Sequence, residues 1–298
     1  MTTLAGRRTP GFVPGGRDWL PPLTLLLVTA VFGWTFVVVK DVLAEYPVLP
    51  YLGLRFGIAV LTLLLIVRRW PHRREWRVGL PVGVVLALGY LFQTEGMISL
   101  KPGIAGLLTG LFVVFTPLLD RILFLTSLRL KTSLSVLAAV LGTALLTGSG
   151  SGFSLGDLLV VLSALAFAGQ IVLLSHTQSS PSQLGMVQML TCAAVFLALG
   201  TTNGVPFPAI TGPVAFALLV TGVLASAVAV VAQSWAQQKM TASRAGLVLA
   251  AEPALALLFA VALTGERLAL VQLLGALVLI GAIVGHEIGW TKQPDQDP

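Results

Sequence analysis

Apolar residues in this chain come in unbroken runs rather than in alternation. Runs of roughly 20 residues recur between residues 21 and 288, separated by short polar or Gly- and Pro-containing stretches. At ~1.5 Å per residue a coiled run of that length matches the ~30 Å hydrocarbon core of a bilayer. Ten-residue segments of alternating polarity, which would announce a membrane β-barrel, do not occur. The runs predict ten helices, over 21–39, 50–67, 78–98, 103–125, 132–148, 155–174, 183–199 and 213–236, with the last two in the stretch 245–285. There the group Thr264-Gly265-Glu266-Arg267 separates two apolar runs and reads as the tight turn of a helical hairpin. The first run is too long for a signal-peptide core and lacks a small-x-small cleavage site, so it is expected to stay in the mature chain.

The runs also repeat. Gln93 and Gln233 stand 140 residues apart, and the same offset carries Ala105-Gly106-Leu107 onto Ala245-Gly246-Leu247. Each copy reads as a span with Gln near its end, a short loop, and Ala-Gly-Leu opening the next span. The stretches FGWTFVVVK and FAGQIVLLS correspond loosely as well. Pro117 and Pro253 fall out of register by four residues, about one helical turn. The expected organisation is a tail over 1–20, a first half over 21–148, a Gly/Ser linker over 149–154, a second half over 155–288, and a tail over 289–298. Five spans per half is an odd number, so the second half enters the bilayer in the opposite sense to the first. Inverted halves are a transporter architecture with the solute site near mid-membrane between them. The expected fold is therefore an all-α membrane protein of ten transmembrane helices in two inverted five-helix repeats.

Composition agrees: of 298 residues 56 % are hydrophobic and 10 % charged, where soluble domains average about 25 % charged. Charge adds orientation. With the N-terminus inside, the inner segments hold fourteen of the 18 Lys and Arg, five of them between Arg68 and Arg77, and the outer segments hold Lys40, Lys101 and Arg267. That bias places both termini in the cytoplasm. Net charge +6 does not indicate nucleic acid, because the basic residues lie in loops with no aromatic-interleaved basic surface. The single cysteine, Cys192, sits in an apolar run, and no Cys/His pattern suggests a metal or other cofactor. The run Gly148–Gly152 fits neither GxGxxG nor the Walker pattern, so an ATPase partner is not required. His72, His176 and His286 lie far apart at loops or helix ends, and GxSxG and HExxH are absent, which disfavours the alternative of a membrane-embedded enzyme. Sparse intramembrane charge disfavours a wide channel, the other alternative.

The stretch AGLVLAAEPALA, then GERL, then a Gly-rich last helix resembles the end of an EamA domain of the drug/metabolite transporter superfamily. Glu252-Pro253, Gly265-Glu266 and Gly275 carry that resemblance, which extends over nearly the whole chain. It implies an inner-membrane secondary transporter, a monomer or homodimer, working by alternating access. The similarity points to the exporter branch that handles aromatic amino acids and methyl viologen, with a small-molecule solute as the partner.

Candidate site residues are the polar and aromatic groups inside apolar runs. Glu252 is either a substrate-amine or proton site, or a structural acid bonded to a neighbouring helix; its aligned position in the first half is Phe112. Arg55 and Glu95 form either a structural ion pair across the second and third helices or an external gate. Gln93, Gln170 and Gln233 suit a polar solute, or else bond between helices. Trp34, Tyr90 and Trp235 either stack on a solute or anchor helix ends at the interface. Pro117 and Pro253 are hinges or static bends. The spacings Gly106-x-x-x-Gly110 and Gly281-x-x-x-Gly285 permit close helix contact, within or between monomers.

Overall fold

The computed structural model describes residues 19–124, 130–147, 153–175, 180–237, 239 and 248–291, and is all-helical over them. Residues 1–18 and 292–298 of the tails, the Gly148–Gly152 turn, Ala245-Gly246-Leu247, His176, Arg129 and Arg244 lie outside the described residues. Seven helical stretches are long and apolar enough to cross a membrane: Leu20–Val42, Val48–Val67, Arg73–Met97, Pro102–Phe124, Leu155–Leu174, Ser182–Thr202 and Gly212–Gln233. Three shorter apolar helices accompany them, within Ser133–Leu146, Glu252–Thr264 and Leu270–Gly285.

The helices are α1 (Leu20–Val42), α2 (Val48–Val67), α3 (Arg73–Met97), α4 (Pro102–Thr109), α5 (Phe112–Phe124), α6 (Leu130–Thr147), α7 (Leu155–Ser175) and α8 (Pro181–Thr202). Then come α9 (Gly212–Leu218), a π-helical segment (Leu219–Val228), α10 (Ala229–Gln237), α11 (Glu252–Thr264) and α12 (Leu270–Thr291). Prolines open α1, α4, α8, α9 and α11, where the missing N–H would lack an intrahelical partner anyway. α3 starts at Arg73 rather than near 78, so Arg73, Arg74 and Arg77 belong to its first turns.

Two expected spans are not continuous. The run 103–125 breaks at Gly110–Leu111, between α4 and α5. The run from 245 breaks at residues 250–251, so Glu252 is the first residue of α11 and not a mid-helix residue. Pro253 explains the second break: it lacks an N–H, and its ring clashes with the carbonyl four residues back. Pro117, by contrast, lies inside the continuous helix α5.

The breaks are copies of each other. Leu111 N–H donates to Leu108 O at 3.1 Å and Phe115 N–H to Leu111 O at 2.9 Å. Residues 140 further on, Ala251 N–H donates to Val248 O at 3.1 Å and Leu255 N–H to Ala251 O at 2.9 Å. The three-residue bonds keep backbone groups paired at the interruption, which an apolar environment demands.

All eight residues of α4 are buried. It crosses α11 so closely that a Cβ added at Gly106 would overlap the Ala256 methyl, and one at Gly110 would overlap the Pro253 ring. The two breaks thus touch. Gly33 brings α1 against the backbone of Leu255 and Ala256 as well. Around this crossing α7 lies along α3, α8 along α2 and α3, α1 along α11 and α10, the π segment along α2, and α5 along α7. α6 and α12 pack backbone to backbone through Gly142 and Gly275, whereas Gly281 and Gly285 meet nothing within 4 Å among the described residues.

One turn is pinned to this core. Gly265 ends α11 in the left-handed region at φ 66°, where a side chain would be strained. Glu266, 7 % exposed, then reaches the start of α4 and accepts a hydrogen bond from Gly103 N–H at 2.9 Å. Lys101 Nζ donates to Arg267 O at 3.2 Å beside it. Burial pushes the Glu266 carboxyl above its ordinary value, while the Gly103 N–H and Lys101 pull it down less strongly.

Candidate functional site

A cavity of about 400 Å³ lies beside the crossing, within the ~300–1,000 Å³ range of small-molecule sites. α1 contributes Phe32, Thr35, Phe36 and Val39, which share one helix face at three- and four-residue steps. The aligned residues Phe112 and Glu252, each the first residue after its break, both line it. α3 gives Leu86, Tyr90, Gln93 and Met97, and α7 gives Phe167 and Gln170.

Its polar groups are of two kinds. Some are bonded across helices. Gln93 Nε2 donates to Thr109 Oγ1 at 3.2 Å, linking α3 to α4. Gln170 Nε2 donates to Gln188 Oε1 at 2.8 Å, and Gln188 Nε2 to Leu184 O at 3.2 Å. Others have no hydrogen-bond partner among the described residues: Gln233 and Glu252 line the wall with neither a hydrogen bond nor an ion pair.

Arg55 is the cation of the wall and is 5 % exposed. α2 places Tyr51 and Arg55 one turn apart on the face that meets the π segment. Tyr51 Oη donates to Thr221 Oγ1 at 2.9 Å, and Arg55 Nε donates to Ser226 Oγ at 3.1 Å. A Cβ at Gly222 would stand 2.9 Å from the Arg55 carbonyl oxygen, so a glycine is needed for this approach. The guanidinium carbon lies 4.8 Å from the centroid of the Tyr90 ring and 5.2 Å from that of Phe56. Those rings pack on each other at 4.8 Å, and Tyr90 meets Phe167 at 5.2 Å.

Two segments, residues 20–148 and 154–286, each match the family model of the EamA-like transporters. The chain belongs to the EamA-like transporter family. A relative from Archaeoglobus fulgidus, an uncharacterized transporter, is 32 % identical over 92 % of this chain and 88 % of its own length. YoaV of Bacillus subtilis, another uncharacterized transporter, is 23 % identical over 91 % of this chain and 98 % of its own. A crystal structure of a protein aligns with TM-score 0.65 at 16 % identity, covering 93 % of this chain and 99 % of that one; at that identity the likeness shows the fold alone. With seven apolar spans and this family, the chain is a multi-pass membrane transporter.

In this EamA-like chain Tyr90, Gln93, Gln170, Gln233, Glu252 and Arg55 all face one cavity. Trp34 does not: it lies two residues from Phe32 and from Phe36, hence on another face of α1, and its ring meets Phe216 edge-on at 6.0 Å. Trp235 is 36 % exposed, with Lys239 Nζ 4.5 Å from its ring centroid. The expected Arg55–Glu95 pair is not made. Glu95 sits two residues from both Gln93 and Met97, on the side of α3 turned away from the cavity that Arg55 faces. Gln188, Thr221 and Ser226 were not singled out by the sequence. Gln188 had a usable signal, an amide inside an apolar run; the two hydroxyls had none.

Proposed function

We propose that this protein is a secondary exporter of small metabolites, namely amino acids including aromatic ones and related compounds, working by alternating access. The carrying observation is the cavity at the contact of two interrupted helices, lined by aromatic rings, amides and one residue of each charge. α6, α11 and α12 join the seven long helices as further spans, giving ten in two halves over 21–148 and 155–288. The neighbour pattern supports this. Exchange α1 with α7, α2 with α8, α3 with the α9–α10 rod, α4–α5 with α11, and α6 with α12. Then α3 against α7 becomes the rod against α1, and α1 against α11 becomes α7 against α4 and α5; each is an observed pair. Five spans per half makes the halves inverted, with the solute site between them. Both termini are cytoplasmic and the membrane is the inner one, the protein acting as a monomer or homodimer without an ATPase.

The test is counterflow of labelled L-phenylalanine and other amino acids into liposomes carrying the purified protein. Saturable flux stimulated by solute on the opposite side is expected. Non-saturating, channel-like flux, or conversion of the solute, would remove the carrier reading. Equal flux at every pH in Glu252→Gln and wild type would remove a proton role for Glu252 and leave the carrier intact.

A further inference from the structure

Arg55 is held in an unusual way for a buried cation. Guanidinium has five donors, and Ser226 takes the one on Nε, with the Tyr51 hydroxyl also beside the group. Among the described residues no carboxylate reaches it, although Glu252 and Glu95 are both within the bundle. A buried charge without a counter-ion is costly, and such groups are normally paired. Here the Tyr90 and Phe56 ring faces offset part of that cost. Ser226 and the Tyr51 hydroxyl hold one side of the group, so the remaining donors of the fork are the part left to the cavity.

We infer that Arg55 is the anion receptor of the cavity, binding the carboxylate of the solute through its Nη fork. This rests on the reading of the cavity as the transport site and names how that site selects. A planar fork matches a carboxylate with two parallel hydrogen bonds, which an ammonium could not supply. Glu252, which lines the same cavity and is also without an ionic partner among the described residues, supplies the opposite pole. A bare carboxylate leaves Glu252 uncompensated and a bare amine leaves Arg55 uncompensated. A zwitterion satisfies both, with its side chain against Phe32, Phe36, Phe112 and Phe167. The selected class is therefore the free α-amino acid with an apolar or aromatic side chain.

Three probes of one skeleton test this on the purified full-length protein in lipid nanodiscs: L-phenylalanine, 3-phenylpropionate (no ammonium) and phenethylamine (no carboxylate). Wild type is expected to bind L-phenylalanine at least tenfold more tightly than either relative. Arg55→Gln should weaken L-phenylalanine and 3-phenylpropionate by about 10- to 100-fold and leave phenethylamine unchanged or tighter. Arg55→Lys, which keeps the charge but not the fork, should fall between, and it decides the matter if Arg55→Gln does not fold. Phenethylamine binding as tightly as L-phenylalanine in wild type, or an unaltered L-phenylalanine affinity in the folded variant, overturns the role of Arg55. If counterflow of L-phenylalanine persists in either case, the carrier reading stands without it. Binding of none of the probes by wild type would remove both.

Discussion

Glu266 offers a sharp test of how the two halves are fastened, because one side chain links the end of α11 to the start of α4. Replacing it with Ala removes the acceptor for Gly103 N–H and leaves that buried donor without a partner. Leaving a buried donor unsatisfied costs about 1–3 kcal/mol. For a chain of this size that corresponds to a fall in Tm of about 2–5 °C. Glu266→Gln keeps an acceptor and should lie within about 1 kcal/mol of wild type at pH 7. The pH dependence separates charge from geometry. Burial raises the folded carboxyl above its ordinary 4.5, so between those values the folded state binds more protons than the unfolded one. The stability this group contributes is fully present below 4.5 and is lost as pH rises through the raised folded value. Thermal unfolding in detergent, followed by tryptophan fluorescence from pH 4 to 8, should show that fall in wild type and not in Glu266→Gln. An Ala variant as stable as wild type, or a Gln variant with the wild-type pH slope, would refute the account.

The contact between the two breaks makes a second prediction: Gly110→Val drives two methyls into Pro253 and should destabilise by about 1–3 kcal/mol, read as a lower Tm and a loss of monodispersity on gel filtration. Gly281→Val, with open space around it, should leave both unchanged. Tyr51→Phe removes the Thr221 bond but leaves Thr221 bonded to Ala217 O, so about 1 kcal/mol is expected in the same unfolding assay.

Much of this was legible in the sequence because a bilayer imposes simple rules. Run length gives helices, and polar residues inside runs are placed inward, so Arg55, Tyr90, Gln93, Gln170, Gln233 and Glu252 face a common cavity. The 140-residue offset read from Gln93 and Gln233 recurs as hydrogen bonds at both breaks. What was not legible depends on tertiary contact. The first break has no proline at its start, and the space beside Gly110 that a Cβ would need is taken by the Pro253 ring of the other half, which no local pattern encodes. Thr221 and Ser226 reach α2 through a π-helical register, whose wider turn shifts which residues share a face. Of the two readings of Arg55 and Glu95, the ion pair is not made for the same reason: depth along the helices was suggestive, but the face of α3 decides contact.

The duplicated break also accounts for where an asymmetric chemistry can arise. Both halves resume their helix at the same aligned position, and both residues there look into the cavity. One copy carries Phe112 and the other Glu252, so a symmetric backbone delivers an apolar wall on one side and an acid on the other. At the first residue of α11 the acid lies beside N–H groups with no intrahelical acceptors and at the positive end of the helix dipole, a setting that favours a carboxylate by about 0.3–2 kcal/mol. Had the helix run unbroken through residues 250–251, the same carboxylate would sit mid-helix without that help. The interruption puts the acid at a helix start inside the bundle, which ties the break to the cavity rather than to flexibility alone.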